Sequence, residues 1–140
     1  VTRSKDIGTE TETAVVRYLQ LNGFPYAERR ALHGGKDLGD ITGTPGIVWE
    51  VKGGKAAENA GDGLIEKWLD EAKVEAANAG VDAYALITKR KGYGATRVGD
   101  WWAWLPSLAV LGNDEYDFPV RVKVSDHLKM LKLWGYGGRE

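Results

Sequence analysis

A chain of 140 residues, 43% hydrophobic and 28% charged, has the size and composition of one globular domain with its own core. A formal net charge of −1 excludes a bulk-basic nucleic-acid binder, so any such partner would have to meet local basic patches. The absence of cysteine and the presence of only two histidines, His33 and His127, exclude disulfides, thiolate zinc and His-rich metal sites; a bound metal would take the oxygen ligands that suit magnesium, manganese or calcium.

From Thr9 to Asn22, Val15, Val16, Leu19 and the flanking Phe24 recur at helical spacing, with Gly23 as a stop. Tyr26 to Leu32 reads as a strand or extended edge, "HGGKDLG" as a loop, and two short strands flank "TGTPG". "GGKAAENAGDG" is small, polar and glycine-rich, a candidate mobile loop. Leu64 to Ala79 is the clearest helix, with Leu64, Ile65, Trp68, Leu69, Ala72, Ala76 and Ala79 on one stripe and Gly80 at its end. "AYALIT" is a buried strand, "KRKGYGATRVG" a basic loop and "DWWAWLP" another strand. Ser107 is expected to cap a short helix through Leu111. "PVRVKV" alternates as a half-exposed strand, and Ser125 is expected to cap a helix over His127 to Trp134 that ends at Gly135. This order predicts a single α/β domain over residues 1–140. Its mixed central sheet, flanked by helices, would begin with a hairpin or meander and continue with a strand returned through a helix. No segment is apolar enough to span a bilayer, and "VTRSKDIGTETE" lacks the hydrophobic run of a signal peptide, so a cytoplasmic location is expected.

The stretch "GDITGTPGIVWEVK" carries the chemistry. Thr44-Pro45-Gly46 suits a tight turn, and a hairpin centred on Pro45 places Asp40 opposite Glu50. Side chains alternate along a strand, so Glu50 and Lys52 share one face while Trp49 and Val51 share the other. Two adjacent carboxylates repel unless they share a proton or hold a cation. Magnesium fits, because it takes one or two protein carboxylates, keeps waters and accepts phosphate oxygens. The competing reading is a solvated Glu50–Lys52 pair worth little. The apolar residues Ile47, Val48, Trp49 and Val51 argue against it, since they make the strand look central. Glu12 lies on the inward stripe of the first helix, which points it toward the same site. Thr9 and Glu12 equally fit a capping box, which would turn Glu12 back on its own helix end.

"GDITG…VWEVK" resembles the signature of the PD-(D/E)XK nuclease superfamily, with Asp40, Glu50 and Lys52 at the signature positions. "KDIGTETETAVVRYLQLNGF" resembles the opening of archaeal-type Holliday-junction resolvases and their phage relatives, with Glu12 as the inward glutamate and Gly23-Phe24 as the closing pair. The resemblance covers about Lys5 to Lys91 and departs at Gly39, where a proline is expected. It implies a restriction-endonuclease-like core and a magnesium-dependent endonuclease, with manganese substituting, that hydrolyses branched DNA with a metal-activated water. Asp40, Glu50, the Val51 carbonyl and Glu12 would hold the metal, and Lys52 would orient the nucleophile. It also implies a homodimer, because resolving a four-way junction takes two symmetric cuts, and a prokaryotic or phage-infected cell. A flap or single-strand nuclease of the same fold and a non-catalytic branched-DNA-binding module are the alternatives.

Candidate phosphate contacts are Arg3 and Lys5 in the N-terminal arm, Arg29, Arg30 and Lys36 before Asp40, and Lys89, Arg90 and Lys91 in a mobile basic finger. His33 near the same approach reads as an ordinary loop histidine, a proton shuttle or a phosphate contact. Lys67 and Glu71 lie on the polar side of the long helix, where an auxiliary site residue would sit. Trp101, Trp102 and Trp104 read either as base-stacking residues or as core and interface, as does the stripe of Met130, Leu131, Leu133 and Trp134.

Overall fold

The first helix starts a turn and more before the apolar spacing marks it. The computed structural model describes residues 4–30 and 38–137, with side chains from residue 6, and in it α1 spans Ser4–Leu21. Thr11 and Thr13 donate their hydroxyls to the Ile7 and Thr9 carbonyls at 2.7 and 2.8 Å, so threonines that could have capped the helix are satisfied inside it. Thr9 is therefore an interior residue, and the capping-box reading of Glu12 is overturned. Val15, Val16 and Leu19 are buried as their spacing predicts.

The next strands are short. β1 (Glu28–Arg29) pairs antiparallel with β2 (Ile41–Thr42) as a two-stranded ribbon. Of the Tyr26–Leu32 stretch, whose last two residues lie outside the described ones, Glu28–Arg29 are strand, and β2 gives its ladder to β1 rather than to the strand that follows. That strand, β3 (Ile47–Lys52), leaves the turn at Thr44, whose carbonyl accepts from the Ile47 N–H at 3.1 Å. Gly43 makes the turn possible, with φ at 82° and the Tyr26 carbonyl oxygen where a side chain would start. Gly43→Ala is expected to destabilise the fold by roughly 3 kcal/mol in urea denaturation. Gly63→Ala, on an open helical position, should be neutral or stabilising.

The polar stretch after β3 is not a plain loop. It forms α2 (Gly54–Glu58), then α3 (Asp62–Ala79), which carries the chain back to β4 (Ala83–Thr88) parallel to β3. A 3-10 segment over Ala95–Asp100 leads to β5 (Trp102–Pro106), and α4 (Ser107–Leu111) leads on to β6 (Pro119–Lys123) and α5 (Val124–Leu133). Neither predicted serine cap forms. Ser107 donates to the Tyr116 carbonyl and accepts from the Phe118 N–H, tying down the loop before β6, and Ser125 lies within α5.

The domain is mixed α/β, with a four-stranded mixed sheet in the order β3-β4-β5-β6 flanked by helices. The antiparallel run comes last, through β4, β5 and β6, rather than first. One sheet face carries Trp49, Val51, Ile87, Ala103 and Leu105, packed with α1 and α5 in the main core. The other carries Leu86 and Trp104 against Ile65 and Leu69 of α3. Trp49 closes the main core edge-on to Phe24 and His127, and its indole N–H donates to the Thr44 hydroxyl at 2.9 Å. No helix among the described residues is long and apolar enough to cross a membrane.

Candidate active site

β3 lies at the edge of the ladder, which corrects the expectation of a central strand. It is nonetheless buried, because α1 and α3 cover its two faces and Asp40 closes its open edge. Lys52 accepts from the Lys89 N–H through its carbonyl at 3.0 Å, so Lys52, Glu50 and Val48 turn their backbone groups toward β4. Trp49 and Val51 turn theirs the other way. The Trp49 carbonyl accepts from the Asp40 N–H at 2.9 Å, and the Val51 N–H donates to Asp40 Oδ2 at 2.7 Å. The same alternation places the Val51 carbonyl on the Asp40 edge.

Gly39 has φ at 96°, and a side chain there would press on Val48 Cγ1 and the Trp49 carbonyl. A proline, held near φ −65°, cannot adopt this conformation.

Asp40 therefore stands where both faces of β3 can be reached. Glu50 approaches from the α3 side, within hydrogen-bonding reach, and Glu12 raises the Asp40 pKa from α1. Burial first, and Glu50 second, push the Asp40 carboxyl up to about 8. Burial and a hydrogen bond with Glu75 push Glu50 up to about 8 as well. Lys52 Nζ is 3.6 Å from Glu50 Oε1 and 3.8 Å from Glu71 Oε2, with Trp68 beneath it at 5.5 Å. Glu50, Lys52 and Glu75 open into a groove of about 810 Å³ along α3, where Glu66, Asp70 and Glu71 add further acid.

Glu75 is the site residue that the sequence reading missed. It is only 3% exposed, yet it sits three residues after Ala72 on the apolar stripe of α3. The rule that singled out Glu12, a carboxylate on an inward helical face, would have found it. On α3, Glu75 lies inside against Glu50, and Glu71 lies outside, facing Lys52.

Other candidates are held differently. Glu12 accepts from Arg29 Nε at 3.1 Å, so Arg29 neutralises a site acid rather than standing free for phosphate. The Arg30 N–H donates to the Asp40 carbonyl, fixing the approach to the site. Lys89 pairs with Glu58 at 3.1 Å. Arg90 is packed over the Tyr93 and Trp102 rings and donates to the Asp100 carbonyl, so it is a fixed element and not part of a mobile finger; Lys91 beside it is exposed. Arg3, His33, Lys36 and the Lys5 side chain lie outside the described residues. His127 is on the opposite sheet face, buried against Trp49, and burial lowers its pKa to about 4, so it takes no part in this site. Trp101 and Leu131 are core, whereas Leu133 and Trp134 are exposed.

Among the described residues no group of three or more His, Asp or Glu side chains is disposed to hold a metal ion as it stands. The acids are turned to protein partners instead: Asp40 to the Val51 N–H, Glu12 to Arg29, Glu50 to Lys52 and Glu75. No protein-family model, curated protein or solved structure matches this chain.

Proposed function

We propose that this protein is a divalent-metal-dependent endonuclease of the PD-(D/E)XK type, with a restriction-endonuclease-like core, that cuts branched DNA. One observation carries the reading: Asp40 and Glu50 meet at the β3 edge, both pushed toward the neutral form, with the Lys52 ammonium 3.6 Å from Glu50. Two part-desolvated carboxylates and a backbone carbonyl on one edge are a hard oxygen donor set, which fits magnesium or manganese better than zinc or copper. When bound, such an ion supplies positive charge to a scissile phosphate and lowers the pKa of the attacking water.

The remaining chemistry belongs to the chain's own side chains. Asp40 and Glu50 would hold the ion, with the Val51 carbonyl beside them. Lys52, kept extended by Glu50, Glu71 and the Trp68 ring, presents an ammonium to the water and the phosphate. Glu12, held by Arg29, would add a further acid beside Asp40 from α1. The narrower form of the proposal is a Holliday-junction resolvase acting as a homodimer, since paired cuts need two symmetric sites.

A cleavage panel in magnesium, with four-way junctions, flaps, linear duplex and single strands at matched salt, tests this reading. Paired symmetric nicks across the junction are expected. Cleavage confined to flaps or single strands replaces the resolvase with a flap nuclease of the same chemistry. No cleavage in magnesium or manganese, together with no heat on metal titration, overturns the enzyme.

A further inference from the structure

The cross-strand register extends from the candidate site to a second feature. Lys52 aligns with Thr88, Trp102 and Lys123, and Glu50 aligns with Leu86, Trp104 and Arg121. Residues in register point to the same sheet face. Trp102 and Trp104 therefore share a face with Glu50 and Lys52, two strand spacings or about 10 Å away.

α3 covers this face mainly over β3 and β4, and beyond it the side chains form a continuous stack. Arg90 lies over Tyr93 at 4.3 Å and over Trp102 at 4.1 Å. Arg121 lies over Trp102 at 4.0 Å and over Trp104 at 5.7 Å. The Trp104 indole N–H donates to the Thr88 hydroxyl at 3.0 Å, which fixes its ring. Neither Arg90, Arg121 nor Lys123 has a carboxylate partner among the described residues. Arg121 and Lys123 are exposed, and Trp102 and Trp104 are part-exposed.

Aromatic rings alternating with guanidiniums that lack a carboxylate partner make a cationic stripe on this face. Arg90 and Arg121 fill the two faces of Trp102, so what the stack offers a strand is the exposed Arg121 guanidinium, whose plane can stack on a base and whose N–H groups can meet phosphate. A base-paired duplex keeps its base faces stacked on each other and can use only the charges.

We propose that the Arg90–Trp102–Arg121–Trp104 stack binds an unpaired DNA strand and leads it to the Glu50–Lys52 edge. This rests on the nuclease reading and deepens it by naming a substrate class, branched DNA with a single-stranded segment beside the cut, which favours the flap or single-strand nuclease over the fully paired four-way junction. The strand-binding part stands without catalysis.

Fluorescence anisotropy in EDTA, with a labelled oligothymidylate of about 20 nucleotides and a blunt duplex of equal length, tests it. The single strand is expected to bind more tightly than the duplex. Trp102→Ala and Arg121→Ala should each weaken single-strand binding by about tenfold or more; Trp102→Ala should leave duplex binding nearly unchanged, and Arg121→Ala should weaken it only by the smaller amount that one phosphate contact contributes. Arg121→Lys, which keeps the charge but loses the plane, should not restore it. Because Arg121 is exposed, its variants test the stack without touching the core. Equal or tighter duplex binding, an unaltered Arg121→Ala, or full rescue by Arg121→Lys overturns the proposal. Cleavage in magnesium is read separately. Absent cleavage with the single-strand preference intact removes the enzyme and keeps the strand site, and the converse result removes only the strand site.

Discussion

Asp40→Asn is expected to lower DNA cleavage in magnesium by about a thousandfold or more while leaving the fold intact. The amide oxygen of asparagine can accept the Val51 N–H bond that Asp40 now accepts at 2.7 Å, so the edge of β3 keeps its closure. What is lost is the negative charge needed to hold a divalent ion beside Glu50. DNA binding should persist, since the candidate phosphate contacts lie elsewhere. Lys52→Ala should give the same pattern for a different reason, because its ammonium acts on the water and phosphate rather than on the ion. Cleavage at the parental rate by purified Asp40→Asn would withdraw this carboxylate from catalysis.

Thermal stability of the metal-free protein is expected to fall between pH 6.5 and about 9, and magnesium is expected to reverse much of the fall. Asp40 and Glu50 titrate at about 8 in the fold, against ordinary values of 3.8 and 4.5. Above their ordinary values the folded state holds more protons than the unfolded one, so stability declines as pH rises and is lost through the folded pKa. His127 acts in the opposite sense and lower down. Its pKa falls from 6.5 to about 4 on burial, so its contribution is present above 6.5 and is lost as pH falls toward 4. Between 6.5 and about 9 the carboxylates dominate; the raised pKa values of Tyr18 and Tyr84, buried in part, act in the same direction at higher pH. Across that window the carboxylates account for a loss on the order of a few kcal/mol, roughly 5 °C or more in Tm. Asp40→Asn should flatten the profile and raise Tm at alkaline pH without magnesium. A metal-free profile that rises through this window would remove the close carboxylate pair from the picture.

Much of the site was legible because it rests on short-range rules. Alternation along β3 placed Glu50 and Lys52 on one face and Trp49 and Val51 on the other, and the core packing follows it. The Thr44–Gly46 turn brought Asp40 beside that strand, though bonded to the Trp49 carbonyl and the Val51 N–H rather than paired opposite Glu50 in a hairpin ladder. Reading failed where local signals had competitors. Thr9 could cap a helix or sit inside one, and hydroxyl bonds to the preceding turn favoured the interior. "GGKAAENAGDG" contains enough alanine to form α2 between its glycines. The apolar run of β3 suggested a central strand, but burial comes from helices on both faces, and that can also happen at an edge.

By itself, then, the sequence determined an α/β order of elements, the paired acids with their lysine, and the amphipathic helix that follows them. All three arise from residues close along the chain, where helical and strand periods decide which side chains are neighbours. Only the tertiary structure decided that Glu75 stands against Glu50, that Arg29 holds Glu12, and that Arg90 and Arg121 meet over Trp102. Those contacts join elements that no local period relates. They depend on which strands pair, in which register, and on the face of the sheet that α3 leaves open.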